Sequence, residues 1–151
     1  MTACMLKGRN SGAYTMVWLP GGDHDGTVVN QQVRVWVVDD QASFRMASAA
    51  TLDATDGFVL AGQSATGESA LERLDDDAAD LVLMDIHMPG IGGIEAARQL
   101  RARCPRMVVV LMSTYDADEL PAAATDCGAT SYLHKQRLCP EVLSDIWRTA
   151  S

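Results

Sequence analysis

The sequence predicts a doubly wound α/β fold, a parallel sheet covered by helices on both sides. Three observations point to it. Between about residue 33 and the end of the chain, five short aliphatic runs alternate with five segments of helical character. The runs are apolar at successive rather than alternate positions, so both faces of each strand need cover. The connections are long enough to be helices, which parallel strands require and hairpins do not.

Residues 1 to 32 precede this pattern. They are rich in Gly, Asn, Thr and Ser and show neither helical nor strand periodicity. They are expected to be a disordered leader, a tag remnant or a misassigned start, with the folded domain at 33 to 151. VRVWVV at 33 to 38 is the first strand, short, continuous and β-branched. Residues 41 to 55 follow as a helix with Met46, Ala49 and Ala50 on one face, stopped by Gly57. FVLAGQ at 58 to 63 is the second strand, residues 67 to 76 an amphipathic helix with an acidic end, and DLVLMD at 80 to 85 the third strand. In the helix at 94 to 104, Ile94, Ala97, Leu100 and Cys104 form one stripe with Arg98, Arg101 and Arg103 outside it, and Pro105 ends it. The fourth strand is MVVVLM at 107 to 112. A weak helix spans about 117 to 126, with Pro121 inside it and Gly128 ending it. SYLH at 131 to 134 is the fifth strand and 140 to 149 the last helix, with Val142, Leu143, Ile146 and Trp147 as its core stripe. An exposed part of that stripe could serve a homodimer.

Bulk properties narrow the function. The chain has 151 residues, 48% hydrophobic and 21% charged, with a formal net charge of -8, enough for one domain with an ordinary core. Lys7 and Arg9 balance Asp23 and Asp25 in the leader, so the whole excess of acid lies in the body. An acidic body is a poor surface for nucleic-acid backbones or anionic lipid. Cys4, Cys104, Cys127 and Cys139 have no paired metal-ligand spacing and read as reduced thiols. No apolar run is long enough to span a bilayer and no secretory signal is recognisable, so the expected location is the cytoplasm.

Three strands end on side chains that carry chemistry. The first runs into Asp39 and Asp40, the third ends on Asp85, and the fourth runs into Ser113 and Thr114, while Lys135 follows the fifth. In a parallel sheet all carboxyl ends lie on one edge, where such folds place their ligands. Three carboxylates gathered there repel one another unless a hard cation sits among them, and oxygen donors of this kind suit Mg²⁺. With Lys135 as a further positive charge, the cluster looks built to hold a metal and a phosphoryl group, one carboxylate acting as acceptor.

VVDD at 37 to 40, LVLMDIHMPGIGG at 81 to 93, VVVLMSTYD at 108 to 116 and GATSYLHK at 128 to 135 occur in an order and spacing that resemble the receiver domain of two-component response regulators. The MPGIGGIEAARQLR and STYD segments are most similar to receivers of the NarL/FixJ type, which usually carry a LuxR-like helix-turn-helix after a linker. The resemblance implies a flavodoxin-like (CheY-like) sheet of strand order 2-1-3-4-5. It implies Asp85 as phosphoacceptor from a sensor histidine kinase, and Mg²⁺ held by Asp40, Asp85 and the backbone carbonyl of His87, with Asp39 acting through water. Lys135 would pair with the acids and then with a phosphoryl oxygen. Ser113 would be the switch hydroxyl and Tyr132 the aromatic that moves with it. Such a chain is no enzyme on a separate substrate but promotes its own phosphoryl transfer and hydrolysis.

Other readings compete residue by residue. Asp39, Asp40 and Asp85 could cap helices, Ser113 could be a plain strand end, and Tyr132 could be core with its hydroxyl at the surface. His87 tempts as a catalytic imidazole, but its position makes its backbone the useful part. Asp23, His24 and Asp25 only superficially resemble a metal cluster. A stand-alone receiver, shuttling phosphate or binding a protein, is the alternative to a transcriptional regulator. A phosphatase of the haloacid dehalogenase type would need a D-x-D motif after its first strand, which is absent here. Two departures from the family pattern stand out. Gln136 follows Lys135 where many receivers have proline, and Thr114 follows Ser113 where many have alanine or glycine.

Overall fold

The computed structural model describes the strands Thr2–Lys7 and Tyr14–Leu19 and residues 31–150. Val33–Val38 forms β1, Phe58–Ser64 β2, Leu81–Asp85 β3, Val108–Ser113 β4 and Ser131–His134 β5. The strands pair in the order β2-β1-β3-β4-β5, every pair parallel. Helices connect them, α1 Ala42–Asp53, α2 Gly67–Arg73, α3 Gly92–Arg103 and α4 Ala122–Asp126, and α5 Pro140–Ala150 follows the last strand.

Period-two alternation divides the core in two. Trp36, Val38, Val82, Met84, Val109 and Leu111 face α2, α3 and α4, meeting Ala70, Leu74, Ala97 and Leu100. The intervening residues, among them Val35, Val37, Leu83, Val110 and Met112, meet Leu52 of α1 and Leu143 and Trp147 of α5. Chain segments rich in aliphatics at every position can satisfy both layers at once, which is why the strands lack polar alternation.

One irregularity coincides with a close approach of Trp36 to the neighbouring strand. The β1–β2 register slips between Val35 and Trp36, with Ala61 passed over between Leu60 and Gly62. The Trp36 ring lies so close over Gly62 that a Cβ there would be 2.3 Å from it, and its Nε1–H donates to Ser64 Oγ at 3.0 Å.

Three expectations need correction. Met46 is 72% exposed, and the inner face of α1 is made by Ser48 and Leu52 with Phe44 beside them. The fourth helical segment is broken. Ala117–Glu119 is a 3₁₀ turn, and Pro121, which cannot donate within a helix, stands at the start of a five-residue α4. In the leader, expected to lack regular structure, Thr2–Lys7 and Tyr14–Leu19 pair as an antiparallel two-stranded sheet.

Candidate functional site

The carboxyl edge of the sheet is where β1, β3, β4 and β5 release their chains, and it gathers charge under cover. Asp39 and Asp40 follow β1, the first fully buried and the second exposed. Asp85, the last residue of β3, is 3% exposed. Oxygens of the three carboxylates lie within 4.8 Å of one another. Lys135, directly after β5, reaches in with Nζ 2.6 Å from Asp39 Oδ2 and 3.4 Å from Asp85 Oδ1. Residues 96 positions apart in sequence thus meet because parallel strands share one edge.

Asp39 is saturated. Its N–H donates to the Ser64 carbonyl at 3.1 Å, its carbonyl accepts from Arg45 at 2.6 Å, and Oδ1 accepts the Gln41 N–H at 2.8 Å while Oδ2 takes Lys135. It therefore does part of the helix-capping work for α1, whose own N-cap Gln41 makes no side-chain cap bond. Asp85 is less occupied. Oδ1 accepts the His87 N–H at 3.3 Å and faces Lys135. Burial, and next the negative charge of Asp39, push its carboxyl up to about 6, against the opposing pull of Lys135. A carboxylate this reluctant to ionise gains from any added positive charge.

Asp40, Asp85 and Asp39 offer only oxygens, and one lysine leaves three acids unbalanced. That donor set fits a hard divalent cation. With both Asp39 oxygens engaged, Asp40 and Asp85 are the carboxylates freer for direct ligation.

Ser113 ends β4, fully buried, with Oγ accepting the Tyr115 N–H at 3.0 Å. Tyr132 on β5 packs its half-buried ring against the α3 side of the core, and its hydroxyl donates to the Tyr115 carbonyl. The His87 imidazole is exposed and meets the Tyr115 ring edge-on, centroids 5.0 Å apart. Lys135–Arg137 forms a 3₁₀ turn in which the Gln136 N–H donates to His134 Nδ1 at 3.1 Å, a bond that proline at 136 could not make. Asp23, His24 and Asp25 lie outside the described residues.

Two contributors were missed in the sequence. Phe44 places its ring 4.5 Å from Lys135 Nζ, and Arg45 holds the Asp39 carbonyl. Both lie one helical turn past Asp40 and Gln41, and that spacing would have placed them beside the site.

The fold and the site define an α/β module with an acidic cluster, faced by a lysine, at its carboxyl edge. A family model described as the response regulator receiver domain matches residues 35–146, and the chain belongs to that family. It is a receiver domain of two-component signalling. Response regulator GacA of Pseudomonas viridiflava is 38% identical over 114 residues, covering 76% of this chain and 53% of that protein. Response regulator UvrY of Escherichia coli K12 is 33% identical over the same length, 76% of this chain and 52% of that protein. The chain thus spans about half the length of these relatives. The signal receiver domain of the putative response regulator NarL from Mycobacterium tuberculosis superposes with a TM-score of 0.70 at 29% identity, covering 80% of this chain and 97% of that one. No helix among the described residues is long and apolar enough to cross a membrane.

Proposed function

We propose that Asp85 takes a phosphoryl group from the phosphohistidine of a sensor histidine kinase, making the domain a phosphorylation-controlled switch. The observation that carries this reading is a buried carboxylate at a strand end, with its pKa raised, beside a mostly buried lysine and two further acids. An Asp85 oxygen attacks phosphorus, the O–P bond forms, the N–P bond breaks, and the imidazole leaves. A Mg²⁺ ion held by Asp40, Asp85 and the His87 carbonyl, with Asp39 through water, would supply neutralising charge for the phosphoryl oxygens.

Lys135 is poised to exchange part of its contact with Asp39 for a phosphoryl oxygen. Ser113, whose Oγ now accepts from Tyr115, keeps a hydroxyl proton to donate to the same group. If Ser113 shifts toward it, the Tyr115 amide loses its acceptor, and the Tyr115 carbonyl that anchors the Tyr132 hydroxyl moves with it. That linkage supports Tyr132 as the reporting aromatic. No separate substrate is turned over. The similarity to GacA and UvrY supports placement in a cytoplasmic transcriptional regulator, with DNA contact left to a part other than this acidic body.

The test is incubation with Mg²⁺ and a small phosphodonor, followed by mass spectrometry of the peptides. One acid-labile phosphate on Asp85 is expected. Phosphate on another residue would overturn the assignment.

A further inference from the structure

The loop from His87 to Gly92 must carry the His87 carbonyl to a fixed place, yet it is rich in glycine and proline and largely exposed. Glu68, in the first turn of α2, reaches across to it: Oε1 accepts the Ile91 N–H at 2.8 Å. The approach is close. At Gly90, with φ +83°, an added Cβ would stand 2.2 Å from Glu68 Oε1, so glycine is needed there both for the backbone and for the carboxylate's reach.

Ile91 is also the N-cap of α3 and has no polar side chain to cap it. The Glu68 carboxylate lies at that N-terminus, where negative charge is favourable. Neighbouring contacts make the arrangement stiff. A Cβ at Gly67 would lie 3.0 Å from Ala96 Cβ and 3.1 Å from the Gly92 carbonyl, and one at Gly93 would lie 1.8 Å from the Asp85 carbonyl. The Gly93 N–H donates to the Ile86 carbonyl at 3.1 Å. A shift at Ile91 is therefore passed through Gly92 and Gly93 straight to the backbone of Asp85.

We propose that Glu68 is a positioning residue, a clasp from α2 that fixes the loop after Asp85 and thereby sets the spacing of the Asp85, His87 and Asp40 oxygens around a divalent ion. This rests on the reading of Asp85 as a metal-assisted phosphoacceptor. Glu68 touches neither ion nor phosphoryl group and acts through the Ile91 amide.

The experiment compares the wild-type chain with Glu68→Ala, Glu68→Asp and Glu68→Gln. It measures Mg²⁺ affinity by calorimetric titration, amide exchange at Ile91 without metal, and phosphorylation rate against Mg²⁺ concentration. Loss of a partner that orients a ligand weakens metal binding by about tenfold, and that is expected for Glu68→Ala. Glu68→Asp, which keeps the charge but not the reach, should match it. Glu68→Gln, which keeps an acceptor, should stay within about twofold of wild type. Ile91 exchange should quicken in the first two variants only. The half-saturating Mg²⁺ concentration should rise while the rate at saturating Mg²⁺ is largely restored. Glu68→Ala binding Mg²⁺ as tightly as wild type would overturn the clasp alone. Glu68→Gln falling as far as Glu68→Ala would show an effect of charge rather than position, and would also overturn it. A wild-type protein that binds no Mg²⁺ would overturn the metal-assisted reading beneath it, while Ile91 exchange would still report whether the clasp exists.

Discussion

Each edge of the sheet carries an ion pair joining remote segments, and the two pairs differ in what surrounds them. At the amino edge, the Arg34 guanidinium forks onto Asp80, Nε at 3.1 Å from one oxygen and the terminal nitrogen at 3.0 Å from the other. Those side chains are 40% and 32% exposed, and the acids next in line, Asp75 to Asp77, face solvent. At the carboxyl edge, Lys135 and Asp39 are 9% and 0% exposed, and the same lysine also faces Asp85 with Asp40 alongside. The amino edge also has acid to spare, but it is wet, and Asp75 to Asp77 keep their charge in water. The carboxyl edge is unbalanced and largely dry, a state that costs free energy unless a cation joins it. It is a buried surplus of one sign, and not the presence of an ion pair, that separates a site from a strut.

The largest expected effect is on phosphoryl uptake. Asp85→Asn keeps the shape but removes the nucleophile, and uptake should vanish, while Asp80→Asn at the other edge should take up phosphate with wild-type stoichiometry. Intact-protein mass spectrometry after treatment with a small phosphodonor and Mg²⁺ checks both. Equal loss in the two variants would mean that fold disruption, not chemistry, is being measured.

Next comes stability. Lys135→Ala strands two buried carboxylates and should cost about 3 kcal/mol at neutral pH, part of it returned by millimolar Mg²⁺. Arg34→Ala breaks a half-exposed pair and should cost about 1 kcal/mol, with no response to Mg²⁺ beyond that of wild type. Urea melts with and without the metal give both numbers. Similar costs for the two variants would erase the distinction between the edges.

These contrasts were legible in the sequence to unequal degrees. The strands were placed to within a residue, because continuous aliphatic runs admit few alternatives. Asp39, Asp85, Ser113 and Lys135 could be brought together because parallel topology sends every strand end to one edge. The side on which α1 buries itself was not legible. Ala47, Ala49 and Ala50 make the helix weakly amphipathic, so Met46 looked like core, and only packing showed that Ser48 and Leu52 face inward. Pro121 warned of the break in the fourth helix without saying whether a helix or a turn would survive it. The leader's strand pair escaped because its strands, TACMLK and YTMVWL, lack clean alternation. Glu68 read as an ordinary first-turn acid. Its reach to Ile91 depends on how α2 packs against α3, which no local pattern encodes.

A smaller effect follows from the raised pKa of Asp85. Its carboxyl titrates near 6 in the fold against an ordinary 3.8, so the folded state favours the protonated form. That contribution to stability is full below about pH 3.8 and is lost as pH rises through about 6. Asparagine does not ionise. Without metal, Asp85→Asn should therefore be more stable than wild type by roughly 1 to 2 kcal/mol at pH 7.5, allowing for screening at the solvent-facing mouth. The advantage should shrink as pH falls from 7 toward 4. Asp80→Asn should give no such gain, since it only loses a partner for Arg34. Melts across that pH range test the sign, and a destabilised Asp85→Asn at pH 7.5 would show that Lys135 outweighs burial and Asp39.

The smallest effect concerns how long the phosphorylated state lasts. Hydrolysis of an aspartyl phosphate needs a water aligned opposite the leaving carboxylate, so side chains beside that path set the rate without touching the bond. Thr114, Tyr115 and His87 are exposed near the mouth, and the edge-on contact of the Tyr115 and His87 rings joins the loops after β4 and β3. The Tyr115 ring, 50% exposed and edge-on to His87, stands as an obstacle there. Tyr115→Ala removes the ring but keeps the backbone N–H and carbonyl. It should speed phosphate release by about threefold, equivalent to ~0.6 kcal/mol in the barrier, with Thr114→Ala quickening it less. Arg34→Ala, at the solvated edge, should leave the rate unchanged. A phosphate-release time course on the four proteins decides the matter: a slower Tyr115→Ala would mean that the ring aligns the water rather than excluding it, and a faster Arg34→Ala would mean that general loosening, not access at this edge, controls the lifetime.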